Sequence, residues 1–152
     1  MAPKSKSKKA SSFNDVKVFI VDIDELKGHE MTDEKRLKAL KDEIESDGIL
    51  KRPIVVDEKT SVVLDGHHRM GALRLLGCSK IPVYYVNYES EKIGVKSVSE
   101  GLEITKRKVI DAALRGELFP PKSTWHYVTF SKTMRHISYI QRRVDIPLED
   151  LK

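Results

Sequence analysis

The sequence has little of what stabilises secreted or metal-bound folds. Cys78 is the only cysteine in 152 residues, so an internal disulfide is excluded, and no CxxC or Cys/His spacing indicates a structural zinc site. No run approaches the ~20 apolar residues of a membrane span. The Lys- and Ser-rich first residues are not followed by the apolar segment of a secretory signal. These absences predict a soluble, cytoplasmic protein with no membrane partner.

The hydrophobic fraction is 39%, which at this length supports one core and excludes a multidomain enzyme. The formal net charge of +5 is unevenly distributed. Residues 1–12 contain four lysines and no acid, residues 13–103 contain 14 basic against 18 acidic residues, and residues 104–152 contain 10 against 5. We predict a disordered Lys/Ser-rich tail over residues 1–12 and a folded domain over residues 13–152. The tail either attracts nucleic acid or serves as a solubilising extension.

Apolar periodicity and chain-breaking residues divide the folded part into strands and helices. Predicted strands cover residues 16–21, 52–56, 61–64, 81–86 and 125–130, and the second and third of these form a hairpin. Predicted helices run from an N-cap at Thr32 to Gly48, from His68 to Leu76, and over residues 105–115. This order predicts an α/β (α+β) single-domain fold with a small mixed sheet flanked by helices.

The densest chemical signal is Asp65-Gly66-His67-His68-Arg69, where a predicted strand meets a predicted helix. Gly66 allows a sharp turn, and the free N–H groups at the start of a helix form an anion site. Two imidazoles and a guanidinium add donors for phosphate oxygens, so the turn predicts phosphate binding. Asp65 either orients Mg²⁺ through water or ties the turn by an Asx-type bond. We name no direct metal ligand, because adjacent residues at a helix start seldom coordinate one ion.

Residues 48–88, which include this turn, resemble the ParB/sulfiredoxin superfamily, whose members bind nucleotide phosphates at a Gly-x-x-Arg turn leading into a helix. Sulfiredoxins resemble Gly-Cys-His-Arg at the turn and need its cysteine, but His67 stands there in this chain. Chromosome-partitioning ParB proteins resemble Gly-Glu-Arg-Arg and add a Glu-Asn-x-x-Arg motif and a helix-turn-helix, neither of which the sequence shows. Sulfiredoxin activity is therefore not expected.

A third branch, the archaeal-type free serine kinases, resembles the chain in three ordered places. These are a His-Glu pair at His29 and Glu30, the Asp-Gly-His-His-Arg turn, and a Pro-Lys-Ser-Thr-x-His segment at residues 121–126. The resemblance implies an enzyme that phosphorylates the hydroxyl of free L-serine to O-phospho-L-serine and feeds cysteine biosynthesis. It also implies ATP or ADP as the phosphoryl donor, together with Mg²⁺.

The resemblance assigns roles to the residues of these motifs. Glu30 would take the proton from the substrate hydroxyl as a general base. The nucleotide would be held by Asp65, Gly66, His67, His68 and Arg69 on one side and by Lys122, Ser123, Thr124 and His126 on the other. His29 and His126 either take part in this chemistry or fix the structure, and Trp125 either stacks on adenine or packs in the core.

Two other functions stay open at this point. The same site could phosphorylate another small alcohol such as a polyol, because the residues that select the substrate are not identifiable from the sequence. A ParB-like nucleotide-dependent DNA-binding or regulatory protein would instead show salt-sensitive DNA binding. Without a helix-turn-helix, nucleic acid is not the expected partner. We therefore predict L-serine and a nucleotide as partners, and the sequence predicts no oligomeric state.

Overall fold

The secondary structure is described here for residues 17–152, from a computed structural model of the chain. The predicted tail and the first residues of the predicted domain lie outside this range. The helices are α1 (Glu34–Asp47), α2 (His67–Leu75) and α3 (Lys106–Arg115). The strands are β1 (Val18–Asp22), β2 (Ile49–Leu50), β3 (Ile54–Asp57), β4 (Val63–Asp65), β5 (Lys80–Val86), β6 (Ile93–Ser97), β7 (Thr124–Phe130), β8 (Thr133–His136) and β9 (Ile146–Pro147). Short 3₁₀ helices cover Ile23–Glu25, Ile137–Ile140 and Leu148–Leu151.

A four-stranded mixed sheet with the order β1-β5-β3-β4 positions the rest of the fold. β5 runs antiparallel to β1 and parallel to β3, and β4 returns antiparallel beside β3. The chain reaches β5 from the β3–β4 hairpin through α2, because a parallel neighbour requires a crossover. The predicted class, an α/β fold with a small mixed sheet and flanking helices, is confirmed.

The central strand β3 is buried on both faces. Ile54 and Val56 pack into one hydrophobic cluster with Leu73 of α2, whereas Val55 packs into a second cluster with Val109 of α3. Successive side chains of a strand point to opposite faces, so the alternation follows from strand geometry. The sheet is therefore a middle layer, covered by helices on one side and by α3 and a second sheet on the other.

The second sheet is an antiparallel arrangement of β6, β7 and β8. β7 matches a predicted strand, but the sequence predicts neither β6 nor β8. β6 contains Gly94, which is depleted in strands, and β8 is largely exposed and so lacks an apolar alternation. Gly94 is required because a Cβ there would collide with the ring of Tyr127 on β7.

The start of each helix near the candidate site differs by one residue from the prediction. α1 is capped by Asp33 rather than Thr32, because the Asp33 carboxylate accepts the N–H of Arg36 at 3.0 Å. α2 begins at His67, with Gly66 as the N-cap residue in the left-handed conformation. Within residues 17–152, no helix is both long and apolar enough to cross a membrane.

Candidate active site

A cleft of about 550 Å³ opens where β4 meets α2. Its walls come from the loop before α1, the turn between β4 and α2, and the segment leading into β7. Most of the site residues predicted from the sequence line it, namely Glu30, Asp65, Gly66, His67, His68, Arg69, Lys122, Thr124 and His126. The fold therefore brings together three motifs that are far apart in the chain.

The turn at the bottom of the cleft depends on Gly66. Its φ of 113° lies in a region that side chains rarely adopt, and an added Cβ would lie 2.7 Å from the Cβ of Ile54. Among the described residues, no side chain caps the N-terminus of α2. The helix therefore presents uncapped N–H groups and its positive dipole end, the features of an anion site.

Asp65 and Arg69 form an ion pair that holds this turn. The Arg69 guanidinium donates to Asp65 Oδ2 at 3.1 Å and to the carbonyl oxygen of Pro53 at 2.6 Å. Burial lowers the pKa of Arg69, and the neighbouring Asp65 carboxylate counteracts this shift. Arg69 was expected to contact phosphate directly, but these bonds commit much of its guanidinium to the backbone and to Asp65.

Gln141 completes the network, and sequence reasoning missed it. Its amide nitrogen donates to Asp65 Oδ2 at 2.7 Å, and its oxygen accepts from Arg69 at 3.1 Å. Gln141 is buried, and 72 residues separate it from Arg69. No motif surrounds it in the sequence, so only the tertiary structure identifies it as part of the turn.

His67 and His68 accept hydrogen bonds from the backbone of the loop before α1. Nε2 of His67 lies 3.0 Å from the backbone N of His29, and Nε2 of His68 lies 2.9 Å from the backbone N of Asp33. Burial is the main cause that lowers the pKa of each imidazole, most strongly for His67. A nitrogen that accepts carries no proton, so in the neutral ring only Nδ1 remains as a donor for the predicted phosphate contact. Both rings tie the loop before α1 to α2.

Three buried histidines form a cluster behind the cleft. The ring centroid of His29 lies 4.6 Å from that of His67 and 5.4 Å from that of His126. His126 Nε2 lies 2.8 Å from the hydroxyl of Tyr88. Burial lowers the pKa of all three imidazoles. The Tyr88 bond and the burial favour the structural interpretation of His126 over direct phosphate binding.

Glu30 is held in the cleft by Thr124. Its Oε2 accepts from the Thr124 backbone N–H at 3.1 Å and from the Thr124 hydroxyl at 2.7 Å. The loop is fixed by Phe119, whose N–H donates to His29 and whose carbonyl accepts from Met31, both at 2.8 Å. Thr124 was predicted to bind phosphate, but it donates both polar hydrogens to Glu30. Oε1 of Glu30 has no hydrogen-bond partner among residues 17–152 and can accept from a substrate.

Ser123 is the one predicted site residue that does not line the cleft. It is fully buried, and its hydroxyl donates to the carbonyl oxygen of Pro120 at 2.6 Å. This bond closes the turn on which Lys122 adopts a left-handed φ of 58°. Lys122 is exposed at the cleft and has no ion-pair partner within the described part of the chain. Its ammonium is therefore available to an anion, as predicted for a phosphate contact.

Arg36 is a second cation of the cleft that sequence reasoning missed. It lies in the first turn of α1, where a cation is unfavourable next to the positive end of the helix dipole. It forms no ion pair with any residue in the range 17–152. A basic residue in a first helical turn, three positions after a capping aspartate, is the signal that could have identified it.

The position of Trp125 is compatible with both stacking on adenine and packing in the core. It lines the cleft, and its ring also stacks on Tyr127 with centroids 5.8 Å apart. The ammonium of Lys96 lies 5.6 Å from the Trp125 ring centroid. One part of the indole is thus packed in the second sheet while the residue still borders the cleft.

The cleft fits Mg²⁺ carried by a nucleotide better than a resident metal centre. Glu30 and Asp65 are its carboxylates, and residues 17–152 contain no group of three or more potential ligands that could hold an ion. Mg²⁺ usually keeps several waters and binds through one or two carboxylates plus substrate phosphates. Oδ2 of Asp65 is engaged by Arg69 and Gln141, which leaves Oδ1 as the available donor atom.

The family of the chain follows from a comparison with known domains. A family model described as the ParB N-terminal domain matches residues 3–100. The chain belongs to the ParB N-terminal domain family. The matched part of this ParB N-terminal domain protein includes Glu30 and the Gly66 turn, whereas residues 121–126 lie beyond it. The resemblance to the ParB/sulfiredoxin superfamily is confirmed.

Individual relatives of this ParB N-terminal domain protein are named as serine kinases. An ATP-dependent L-serine kinase of Desulfurococcus mucosus is 32% identical over 104 residues, covering 66% of this chain and 41% of the relative. An ADP-dependent L-serine kinase of Thermococcus kodakarensis is 29% identical over 84 residues, covering 53% of this chain and 35% of the relative. The chain therefore spans less than half the length of these curated relatives.

A solved structure shares the fold over most of the chain. It is a free serine kinase in complex with AMP, with a TM-score of 0.75 and 18% sequence identity. The match covers 90% of this chain and 94% of that chain. This likeness establishes a common fold that extends past the family match into the second sheet.

Proposed function

We propose that this protein is a kinase of free L-serine, which transfers a phosphoryl group from ATP or ADP to the serine hydroxyl. The observation that carries the proposal is the Glu30 carboxylate, fixed by two bonds from Thr124 in the same cleft as the uncapped N-terminus of α2. A base and an anion site in one cleft suit phosphoryl transfer to a small alcohol. The names of the relatives support serine as that alcohol.

Glu30 acts as the general base in this proposal. In phosphoryl transfer, the protein mainly positions the nucleophile and stabilises charge on the phosphate oxygens. Oε1 of Glu30 accepts the hydroxyl proton of serine while the serine oxygen bonds to phosphorus and the nucleotide departs as the leaving group. Thr124 keeps the carboxylate in place through Oε2.

The anionic groups are bound by the turn and by Lys122 and Arg36, which have no ion-pair partner within residues 17–152. The N–H groups at Gly66 and the start of α2 donate hydrogen bonds to the oxygens of the transferred phosphate, and Lys122 lines the same cleft. Arg36 is available for the serine carboxylate, because its guanidinium can bind a carboxylate through two donors. Mg²⁺ bound with the nucleotide would neutralise phosphate charge, and Asp65 is the residue that would hold it.

The same proposal includes the location of the enzyme, the fate of its product and the roles of the residues that shape the cleft. The enzyme acts in the cytoplasm, and its product, O-phospho-L-serine, feeds cysteine biosynthesis. His67, His126 and Ser123 contribute by fixing the walls of the cleft, as their buried hydrogen bonds support. Arg69 contributes by holding Asp65 and the turn.

A donor and acceptor panel followed by phosphorus NMR tests this function. Purified protein is incubated with Mg²⁺ and either ATP or ADP, with L-serine or glycerol as the acceptor. The proposal predicts an O-phosphoserine resonance with at least one nucleotide and a slower reaction with glycerol. Phosphorylation of glycerol in preference to serine would identify a polyol kinase, and the absence of any phosphorylated product would contradict the kinase proposal.

A further inference from the structure

We infer that the Thr124 hydroxyl switches its hydrogen bond from Glu30 to His29 when Glu30 receives a proton, so that His29 is a positioning residue for the general base. The inference rests on the proposed function for the source of that proton. It is carried by three side chains that form a continuous chain of contacts from the cleft into the buried histidine cluster.

The protonation of His29 follows from its surroundings. Nδ1 lies 2.8 Å from the backbone carbonyl oxygen of Val63, and a carbonyl can only accept, so Nδ1 carries a proton. The ring is fully buried, and this burial lowers the pKa of His29 and favours the neutral form. A neutral imidazole has a single N–H, so Nε2 is left with a lone pair that can only accept.

The Thr124 hydroxyl has two possible acceptors and one proton. Oγ1 lies 2.7 Å from Oε2 of Glu30 and 3.2 Å from Nε2 of His29. With Glu30 ionised, the bond to the carboxylate is charge-assisted and shorter, so the hydroxyl donates to Glu30. Nε2 of His29 then faces the threonine oxygen without receiving a hydrogen.

Proton transfer reverses this preference. The O–H bond of the substrate breaks, an O–H bond forms on Glu30, and the carboxylate loses its negative charge. A neutral acid accepts more weakly than a carboxylate, so the Thr124 hydroxyl rotates to Nε2 of His29, while the Thr124 backbone N–H still donates to Glu30. His29 thereby gains a bond in the protonated state that it lacks in the ionised state, and the bond reverts when Glu30 releases its proton.

The other two histidines of the cluster do not offer this acceptor. Nε2 of His67 already accepts from the backbone N–H of His29, and Nε2 of His126 is engaged by the Tyr88 hydroxyl. The bond of Nδ1 to Val63 and the edge contacts with the rings of His67 and His126 hold the His29 ring in place whichever way the Thr124 hydroxyl points. The switch therefore needs rotation of one hydroxyl and no displacement of the ring.

Nitrogen NMR of the full chain tests the switch without any substrate. We expect Nε2 of ¹⁵N-labelled His29 to be unprotonated in the wild type and to move upfield in Glu30→Gln, a neutral counterpart of the protonated acid, because it then accepts the hydroxyl hydrogen. Adding Thr124→Val to Glu30→Gln should return the resonance to its wild-type position. A protonated Nε2 in the wild type, or an Nε2 that does not respond to Glu30→Gln, would overturn the inference.

Kinetics of two His29 variants give a second test. His29→Asn places an amide donor near Nδ1 but removes the acceptor at Nε2, so we expect kcat to fall roughly five- to tenfold with KM for serine unchanged. His29→Gln places an amide oxygen near Nε2 and should recover part of this loss. Equal losses in both variants would contradict the inference. If the wild type forms no phosphoserine, the proposed function fails, and the NMR result still decides the switch.

Discussion

At the scale of single residues, the direction of the Glu30 carboxylate is set by Thr124. We expect Thr124→Val to lower kcat for serine phosphorylation roughly tenfold, because Oε2 loses its hydroxyl donor and keeps only the backbone N–H. Thr124→Ser retains the hydroxyl and its hydrogen bond, so its kcat should stay within about twofold of the wild-type value. Steady-state kinetics with serine as the varied substrate measure both. An unchanged kcat in Thr124→Val would show that the hydroxyl does not orient the base.

Gly66 and Gly48 form a matched pair, because both have a left-handed φ but only Gly66 is crowded by Ile54. Gly48→Ala should cost about 1 kcal/mol of unfolding free energy from backbone strain alone. Gly66→Ala should cost at least about 2 kcal/mol and also weaken nucleotide binding, because the turn must shift away from Ile54. Denaturant unfolding and calorimetric titration measure the two effects. Equal stability losses with unchanged nucleotide affinity would contradict the assigned role of Gly66.

Motifs in the sequence were sufficient to identify most residues of the cleft but not their partners. Glu30, Gly66 and Lys122 lie at the cleft as the motifs predict. In contrast, Thr124 binds Glu30 across 94 residues, and His67 binds the backbone of His29 across 38. Because each of these side chains can both donate and accept, its residue type does not decide which role it takes until the neighbours are known.

At the scale of elements, the segment after the 3₁₀ helix Ile137–Ile140 clamps the turn between β4 and α2 through Gln141. Gln141→Leu should cost about 1–3 kcal/mol, because the partly buried Asp65 and Arg69 each lose a partner. It should also weaken nucleotide binding, since the turn is no longer held from this side. Unfolding curves and titration with nucleotide check these effects. Wild-type nucleotide affinity in a destabilised Gln141→Leu protein would show that the clamp is only structural.

The elements that the sequence predicts are those with a strong local pattern. The buried strands β3, β4 and β5 are continuous β-branched or apolar runs, and their pairing follows from the hairpin and the crossover. β6 and β8 depend on tertiary context instead. In β6, the ring of Tyr127 fills the space that a side chain at position 94 would occupy. This contact joins two separate strands, so the local sequence around Gly94 does not predict it.

At the scale of the whole molecule, the neutral histidine cluster makes stability depend on pH. Burial lowers the pKa of His29, His67 and His126 in the folded state, whereas each has an ordinary pKa near 6.5 when unfolded. Below about pH 6.5 the unfolded chain binds more protons, so stability falls as the pH falls. Between pH 7.5 and 5.5 the three groups together should remove up to about 4 kcal/mol. Urea unfolding at several pH values in this range measures how the free energy of unfolding changes with pH.

A matched variant separates the cluster from other titrating groups. His126→Gln should lower the proton uptake on unfolding at pH 5.5 by about one, because one of the three suppressed sites is gone. An unchanged pH slope in His126→Gln would contradict a neutral His126 in the folded protein.

At the same scale, two positive charges from distant parts of the chain meet at the cleft. The described part of the cleft contains Arg36 and Lys122 without ion-pair partners, beside the positive end of α2. These groups suit the phosphates and carboxylate of small substrates.

Phosphoserine formation by the wild type and Glu30→Gln, followed by phosphorus NMR, tests the central claim most directly. Glu43→Gln is the control, because Glu43 is exposed on α1 and does not line the cleft. We predict phosphoserine from the wild type and the control at similar rates, and a rate at least ~10²-fold lower in Glu30→Gln, as expected for a lost general base. Equal rates in Glu30→Gln and the wild type, or no phosphoserine from the wild type with either nucleotide, would contradict the account.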